Sequence, residues 1–102
     1  MSDEVKYDCY KEIALTNKNS SVCKRIRDDE IKNDCYKELA VSAKNSSICG
    51  KIRDNEELEN DCYKEIAVST GNHSICGKIK EDEELKDDCY KEIAISMKDS
   101  SI

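Results

Sequence analysis

The chain repeats one seven-residue string, Asp-Cys-Tyr-Lys-Glu-(Ile/Leu)-Ala, four times. The copies begin at Asp8, Asp34, Asp61 and Asp88, so successive copies lie 26, 27 and 27 residues apart. A fixed period of this size is typical of proteins built from stacked structural repeats. At 102 residues the chain has the length of one domain. We therefore expect a single repeat domain over residues 1–102. Its units are about 2–28, 29–54, 55–81 and 82–102.

The first part of each unit has the pattern of a long amphipathic helix. In the third unit, Leu58, Cys62, Tyr63, Ile66 and Ala67 recur at i, i+4, i+5, i+8 and i+9, which is helical spacing. The other units place residues of the same kinds in the same columns. The Lys and Glu after each Tyr are expected to form a solvated face with i, i+4 charge pairs within the helix.

Short polar side chains mark where the helices begin. Asn55, Asp82 and Ser2 stand at the predicted N-caps of long helices, ahead of acidic residues that favour a helix N-terminus.

A second column of short polar side chains predicts the N-caps of short helices of about two turns. It contains Asn19, Asn45, Asn72 and Asp99. Gly71, just before Asn72, supports a turn between the long and the short helix. The predicted fold is therefore all-α, a short α-solenoid of about 3.5 helical hairpins.

Seven cysteines follow the same repeat, one in each predicted long helix and one in each complete short helix. They are Cys9, Cys23, Cys35, Cys49, Cys62, Cys76 and Cys89. The chain is 39% charged and has no Phe, Trp or Pro, which predicts a thin core. Structural disulfides are therefore favoured over free buried thiols or metal ligation, each closing a loop of about 13 residues worth about 3 kcal/mol. No Cys-x-x-Cys pair occurs, so no metal is expected.

Two disulfide schemes remain open, because a short-helix cysteine could bond to the long helix before it or after it. Cys76 and Cys89 lie at about 6 and 10 Å from the turn that joins their helices. Cys62 and Cys76 lie at about 12 and 6 Å from theirs, which is a poorer match. The favoured scheme therefore pairs each short helix with the next long helix and leaves Cys9 unpaired or intermolecular. Its pairs are Cys23–Cys35, Cys49–Cys62 and Cys76–Cys89.

Charge and hydropathy exclude several classes of partner. A net charge of −6 argues against nucleic acid and anionic membranes, and no apolar run approaches the roughly 20 residues of a membrane span. The first residues lack the pattern of a secretory signal. His73 is the only histidine, and no nucleophile stands beside a base, so neither an enzyme nor a cofactor is expected.

Disulfides indicate an extracellular or cell-surface protein, or alternatively the cytosol of a hyperthermophile. The Lys/Glu/Ile-rich composition without Pro suits a thermophile.

Three of the predicted caps also begin an Asn-x-Ser triplet in which x is not Pro. They are Asn19, Asn45 and Asn72. These residues are either simple helix caps or acceptors of N-linked glycans on a secreted protein. Asp99 replaces Asn in the last copy, so the cap itself does not require Asn.

The alternation of long and short helices resembles the helical-hairpin superfamily that includes tetratricopeptide repeats, although their Trp, Gly and Pro landmarks are missing. The pattern is also similar to the Asp-Cys-Tyr…Leu-Ala…Cys-x-x-Ile repeats of uncharacterised archaeal proteins. Here it runs from Asp61-Cys62-Tyr63 to Cys76-Gly77-Lys78-Ile79. This resemblance implies a disulfide-stapled helical repeat and transfers no activity.

The ends of the chain keep the pattern of the middle, where soluble solenoids usually carry distinct polar caps. This predicts a structural protein that stacks head-to-tail with copies of itself, as a disulfide-stabilised extracellular filament or a cell-surface subunit. A binding adaptor that uses the solenoid surface is the alternative, followed by a metal-thiolate protein. Copies this uniform are also compatible with a designed consensus repeat.

Overall fold

A computed structural model describes residues 3–100, and the side chains of residues 5–96. This part of the chain is all-helical and contains no strand, which confirms the predicted class. The long helices are α1 (Asp3–Asn17), α3 (Asp29–Ala43), α5 (Glu56–Thr70) and α7 (Glu83–Ser100). The short helices are α2 (Ser20–Cys23), α4 (Ser46–Cys49) and α6 (His73–Cys76).

The short helices have four residues each, so the predicted length of about two turns is wrong. After these four residues the backbone forms tighter turns instead of continuing the α-helix. In the second unit, the backbone N–H groups of Lys51 and Ile52 donate to the carbonyls of Ile48 and Cys49. These three-residue closures are typical of a 3₁₀-like helix end.

Side-chain caps start the long helices. The Oδ1 atom of Asn55 accepts from the backbone N–H of Leu58 at 3.1 Å, and Oδ1 of Asp82 accepts from that of Leu85 at 3.0 Å. Both were predicted as caps, and the structure adds Asp28, whose carboxylate accepts from two backbone N–H groups of α3. The third predicted cap, Ser2, lies outside the described residues.

A residue in the left-handed conformation ends each of the first three long helices. Gly71 has a φ of 69°, which confirms the turn predicted there, whereas Lys18 and Lys44 reach φ values of 52° and 53° without the freedom of a glycine. The prediction that Asp99 caps a further short helix is wrong, because α7 continues through Ser100. In the three preceding units the chain turns into a short helix whose cysteine is bonded to the next long helix.

The turns from short to long helices explain why one repeat is a residue shorter. Ile26 is followed by Arg27 and then by the cap Asp28. The two later turns contain one more residue, Asp54 or Glu81, and these take φ values of 57° and 56°. A single left-handed residue therefore absorbs the insertion and returns the chain to the start of the next helix.

Each long helix packs against the next, α1 on α3, α3 on α5 and α5 on α7, and each short helix contacts the long helices before and after it. The shared interior contains six of the seven cysteines, Ile, Leu and Ala side chains, and two tyrosines, Tyr36 and Tyr63. The molecule is elongated, 52 Å by 29 Å by 18 Å. Neighbours along the chain are therefore neighbours in space.

Candidate interaction surfaces

Three disulfides connect the repeats. Cys23 bonds to Cys35, Cys49 to Cys62, and Cys76 to Cys89. Each bond joins a short helix to the long helix that follows it, which is the arrangement of the favoured scheme. All six of these cysteines are fully buried, whereas Cys9 is a free and exposed thiol. Six of the seven sulfur atoms are therefore structural groups in the interior, and the exception is Cys9 in α1. Three disulfides indicate that the chain folds in an oxidising environment.

A row of ion pairs, here called the charge ladder, joins successive long helices. Its rungs are Lys11–Glu38 at 2.6 Å, Lys37–Glu65 at 3.5 Å and Lys64–Glu92 at 3.1 Å. The i, i+4 pairing predicted for these residues is therefore replaced by pairing across to the next helix. Each rung joins the same two columns of the repeat, so equivalent positions of successive long helices lie side by side. Asn33 of α3 and Asn60 of α5 also bond to the backbone just before α5 and α7, which brings the N-terminal ends of these helices together. Successive long helices therefore run parallel and in register.

The ladder ends with two unmatched charges. Glu12 occupies the column of Glu38, and Lys91 occupies the column of Lys64. Neither has an ion pair with a residue that the structure describes. Glu12 on α1 is therefore the acidic end of the charge ladder, and Lys91 on α7 is its basic end.

The backward face of a long helix, which meets the preceding repeat, is open on α1. This face contains Val5, Cys9 and Ile13, spaced by four residues. Val5 and Ile13 are 53% and 41% exposed, whereas Leu39, the counterpart of Ile13 in α3, is fully buried.

The forward face, which meets the following repeat, is open on α7. It contains Tyr90, Ala94 and Ile95. Tyr90 and Ile95 are 40% and 61% exposed, whereas Tyr63, the counterpart of Tyr90 in α5, is only 7% exposed. The chain thus presents one open half of the internal joint at each end.

Two equivalent grooves run across the long helices. One, of about 640 Å³, is lined by α1, α3 and α5 and includes Leu15 and Val41. The other, of about 510 Å³, is lined by α3, α5 and α7 and includes Val41 and Val68. Lys and Glu side chains of the charge ladder line both grooves. Each groove therefore has a partly apolar lining with charged groups beside it.

Two buried asparagines hold the turns between repeats, a role that the repeat pattern alone did not indicate. Asn33 donates to the carbonyl oxygen of Arg53 at 2.9 Å and accepts from its N–H at 3.2 Å. Asn60 makes the same two bonds to Lys80, at 2.9 and 3.0 Å. The available signal was an Asn directly before the repeated string in both inner copies, where the outer copies have other residues.

Tyr63 combines a buried ring with a charged partner. Its hydroxyl donates to Oε2 of Glu59 at 3.2 Å, and that carboxylate also lies 3.5 Å from Nζ of Lys80. Burial, followed by the charge and the hydrogen bond of Glu59, raises the pKa of Tyr63 above its ordinary value of 10.0. Burial likewise raises the pKa of Tyr36, and the charge of Arg53 opposes that shift.

We expect Glu59→Gln to lower the pKa of Tyr63 towards 10 without reaching it, because burial is the larger cause. Because the folded pKa lies above the unfolded one, this tyrosine's contribution to stability is fully present below pH 10 and is lost as the pH rises through the folded pKa. Phenolate absorbance followed against pH will measure the pKa of Tyr63 in the original protein and in Glu59→Gln. The variant Tyr63→Phe will identify the part of the signal that comes from this residue. An unchanged titration after Glu59→Gln would contradict the contact.

The three short-helix caps have the same geometry. Asn19, Asn45 and Asn72 are exposed, and each accepts through Oδ1 from the backbone N–H and the hydroxyl of the serine two residues on. Their predicted role as caps is therefore confirmed. His73, the first residue of α6, is exposed beside one of them.

Within the described residues there is no group of three or more His, Cys, Asp or Glu side chains that could hold a metal ion. No helix in the same part of the chain is long and apolar enough to cross a membrane. Comparison of the chain with protein-family models, with curated proteins and with solved structures finds no match.

Proposed function

We propose that this protein is a structural repeat protein that stacks head-to-tail with copies of itself. The chain is a short α-solenoid of about 3.5 helical hairpins, and its copies form an extracellular filament or serve as a cell-surface subunit. The parallel, in-register long helices support the solenoid, since each packs mainly on its neighbours. The three buried disulfides support a place outside the cell.

The observation that carries the proposal is the match between the two open faces. Inside the molecule, each joint packs the forward face of one long helix on the backward face of the next. Tyr63 and Ala67 lie on the forward face of α5, and Ile93 lies on the backward face of α7, and all three are buried. The α7 forward face and the α1 backward face are the same two halves, exposed on one chain. A second copy fits because it offers the complementary half.

The charge ladder adds electrostatic complementarity to this joint. If two copies stack with the internal geometry, Lys91 of one copy faces Glu12 of the next and forms a fourth rung. A surface ion pair contributes only about 0.2 to 1 kcal/mol, so the rung selects orientation and register more than it adds affinity. Because the two faces differ, the contact is heterologous and continues into a chain of copies unless rotation closes it.

We expect Glu12→Lys to weaken self-association by about tenfold, because it removes an attraction and places two lysines opposite each other. The double variant Glu12→Lys/Lys91→Glu should restore association, since it reverses the pair. Sedimentation and light scattering over a concentration series, with electron microscopy of the products, will measure this. The exposed Glu57→Lys makes the same charge change away from both faces and should leave association unchanged.

Cys9 provides a second, independent readout. Its counterparts in α3, α5 and α7 are fully buried, so the thiol should become protected from alkylation as copies stack. A chain that remains monomeric at high concentration, with Cys9 equally reactive at every concentration, would overturn the proposal.

The two equivalent grooves favour binding of another protein as a second candidate function. Val41 lines both grooves and Val68 lines the second, and these apolar side chains with charged groups beside them would suit an extended segment with apolar side chains. This function predicts a monomer at high concentration together with a partner that binds across α3 and α5. The sedimentation experiment therefore separates the two candidates.

A further inference from the structure

Three of the seven asparagines share one environment, and the other four do not. Asn19, Asn45 and Asn72 are the exposed caps of the short helices, and each has a serine two residues on. The other four lack this combination. Asn33 and Asn60 are buried and bond to backbone, Asn55 is followed two residues on by Glu57, and Asn17 is followed two residues on by Asn19.

The three caps leave their amide nitrogens available. In the second unit, Oδ1 of Asn45 accepts from Ser47 through its backbone N–H at 3.1 Å and its hydroxyl at 2.6 Å. The Nδ2 atom makes no hydrogen bond to the described part of the chain. Asn19 and Asn72 repeat this arrangement. The cap therefore depends on the oxygen, and a substituent on the nitrogen would leave it intact.

Capping alone does not explain the choice of asparagine. Asp28 and Asp82 start long helices through a carboxylate oxygen that accepts from the same kind of backbone N–H groups. Asparagine and aspartate are about equally good N-caps. What asparagine adds is an amide nitrogen, and the serine two residues on completes the acceptor triplet for N-linked sugar.

The three turns also lie on one edge of the molecule. Each follows the C-terminal end of a long helix, and the charge ladder keeps the long helices parallel and in register. The turns are thus separate from the open forward face, which lies along α7. A bulky group on each turn would project from this edge into solvent.

We propose that Asn19, Asn45 and Asn72 are acceptor sites for N-linked glycans, which would form a row along this edge. The donor is a glycosyl diphosphate carried on a lipid. Nδ2 attacks the anomeric carbon, and a C–N bond forms as the bond from that carbon to the phosphate oxygen breaks. The diphosphate leaves with the electron pair, and a base of the transferase takes the amide proton. No oxidant or reductant is needed.

The test is intact-mass spectrometry of the chain before and after treatment with an amidase that removes N-linked glycans and leaves Asp. Protein from the natural source should carry glycans on these three residues and on no other. The full chain, secreted from a eukaryotic cell behind an added signal sequence, should also carry up to three. Peptide mapping after amidase treatment should find the new aspartates only at these positions.

Matched variants at Asn45 and Ser47 distinguish the loss of a glycan from the loss of the helix cap. Asn45→Asp keeps the capping oxygen and should lose one glycan with little change in melting temperature. Ser47→Ala removes the hydroxyl and should also lose one, whereas Ser47→Thr should keep it. A natural-source chain with the unmodified mass would overturn the proposal, and so would a secreted, disulfide-bonded chain without sugar. Neither result bears on self-association, which is measured on the unmodified chain.

Discussion

Reduction of the three disulfides is expected to abolish the cooperative unfolding transition of this protein. Each bond closes a loop whose ends lie 12 or 13 residues apart, and a cross-link of this size contributes about 3 kcal/mol. If the three contributions add, their sum is on the order of 9 kcal/mol, which is comparable to the total stability of a typical domain at about 5 to 15 kcal/mol. Circular dichroism during heating, with and without excess reductant, will measure the loss.

Paired substitutions show whether the effect comes from the bonds themselves. We expect Cys49→Ala/Cys62→Ala to lower the free energy of unfolding by about 3 kcal/mol or more, because a lost bond is joined by lost packing of two buried sulfur atoms. Cys9→Ala is the control, since this thiol is exposed and unbonded, and it should change stability little in dilute solution. A melting transition unaffected by verified reduction would mean that packing alone holds the repeats together.

Asn60→Ala is expected to destabilise the protein by about 1 to 3 kcal/mol. The change removes the two hydrogen bonds that the side chain makes to the backbone of Lys80, and it leaves a partly buried N–H and a partly buried carbonyl without those partners. The bonds connect residues 20 positions apart, so their loss loosens the turn that leads into α7. Denaturant unfolding of the oxidised chain will measure the difference.

Two further variants sharpen this prediction. Asn33→Ala should have a similar effect, because it removes the same pair of bonds at Arg53. The exposed Asn17→Ala should change the stability by less than about 0.5 kcal/mol. Equal stability for Asn60→Ala and Asn17→Ala would show that water replaces the side-chain bonds without cost.

Regular features of the repeat were predictable from local rules. The spacing of Leu58, Cys62 and Ile66 indicates a helix whatever surrounds it, because one turn brings every fourth residue to nearly the same face. The caps at Asn45 and Asn55 were found for the same reason, since a capping bond reaches only two or three residues along the chain. Contacts between residues that are close in the chain can therefore be recognised from the sequence.

Departures from the repeat were not predictable in this way. Asp99 stands in the column of Asn72, yet it lies inside a helix. The turns before the other caps depend on a short helix that is bonded to its neighbour, which is a condition outside the local sequence. Lys44 shows the same dependence, because lysine has no preference for the left-handed conformation that it adopts there.

The long helices, their period and most of their caps could be predicted from the residues alone, because they follow from contacts between residues a few positions apart. Packing between repeats sets the features that local rules leave open: which charges pair across helices, which asparagines hold the turns, and which faces of α1 and α7 stay open. Those outcomes depend on the parallel register of successive long helices. Register arises from packing and cross-links over a whole repeat, so groups far apart in the chain meet only once the repeats have stacked.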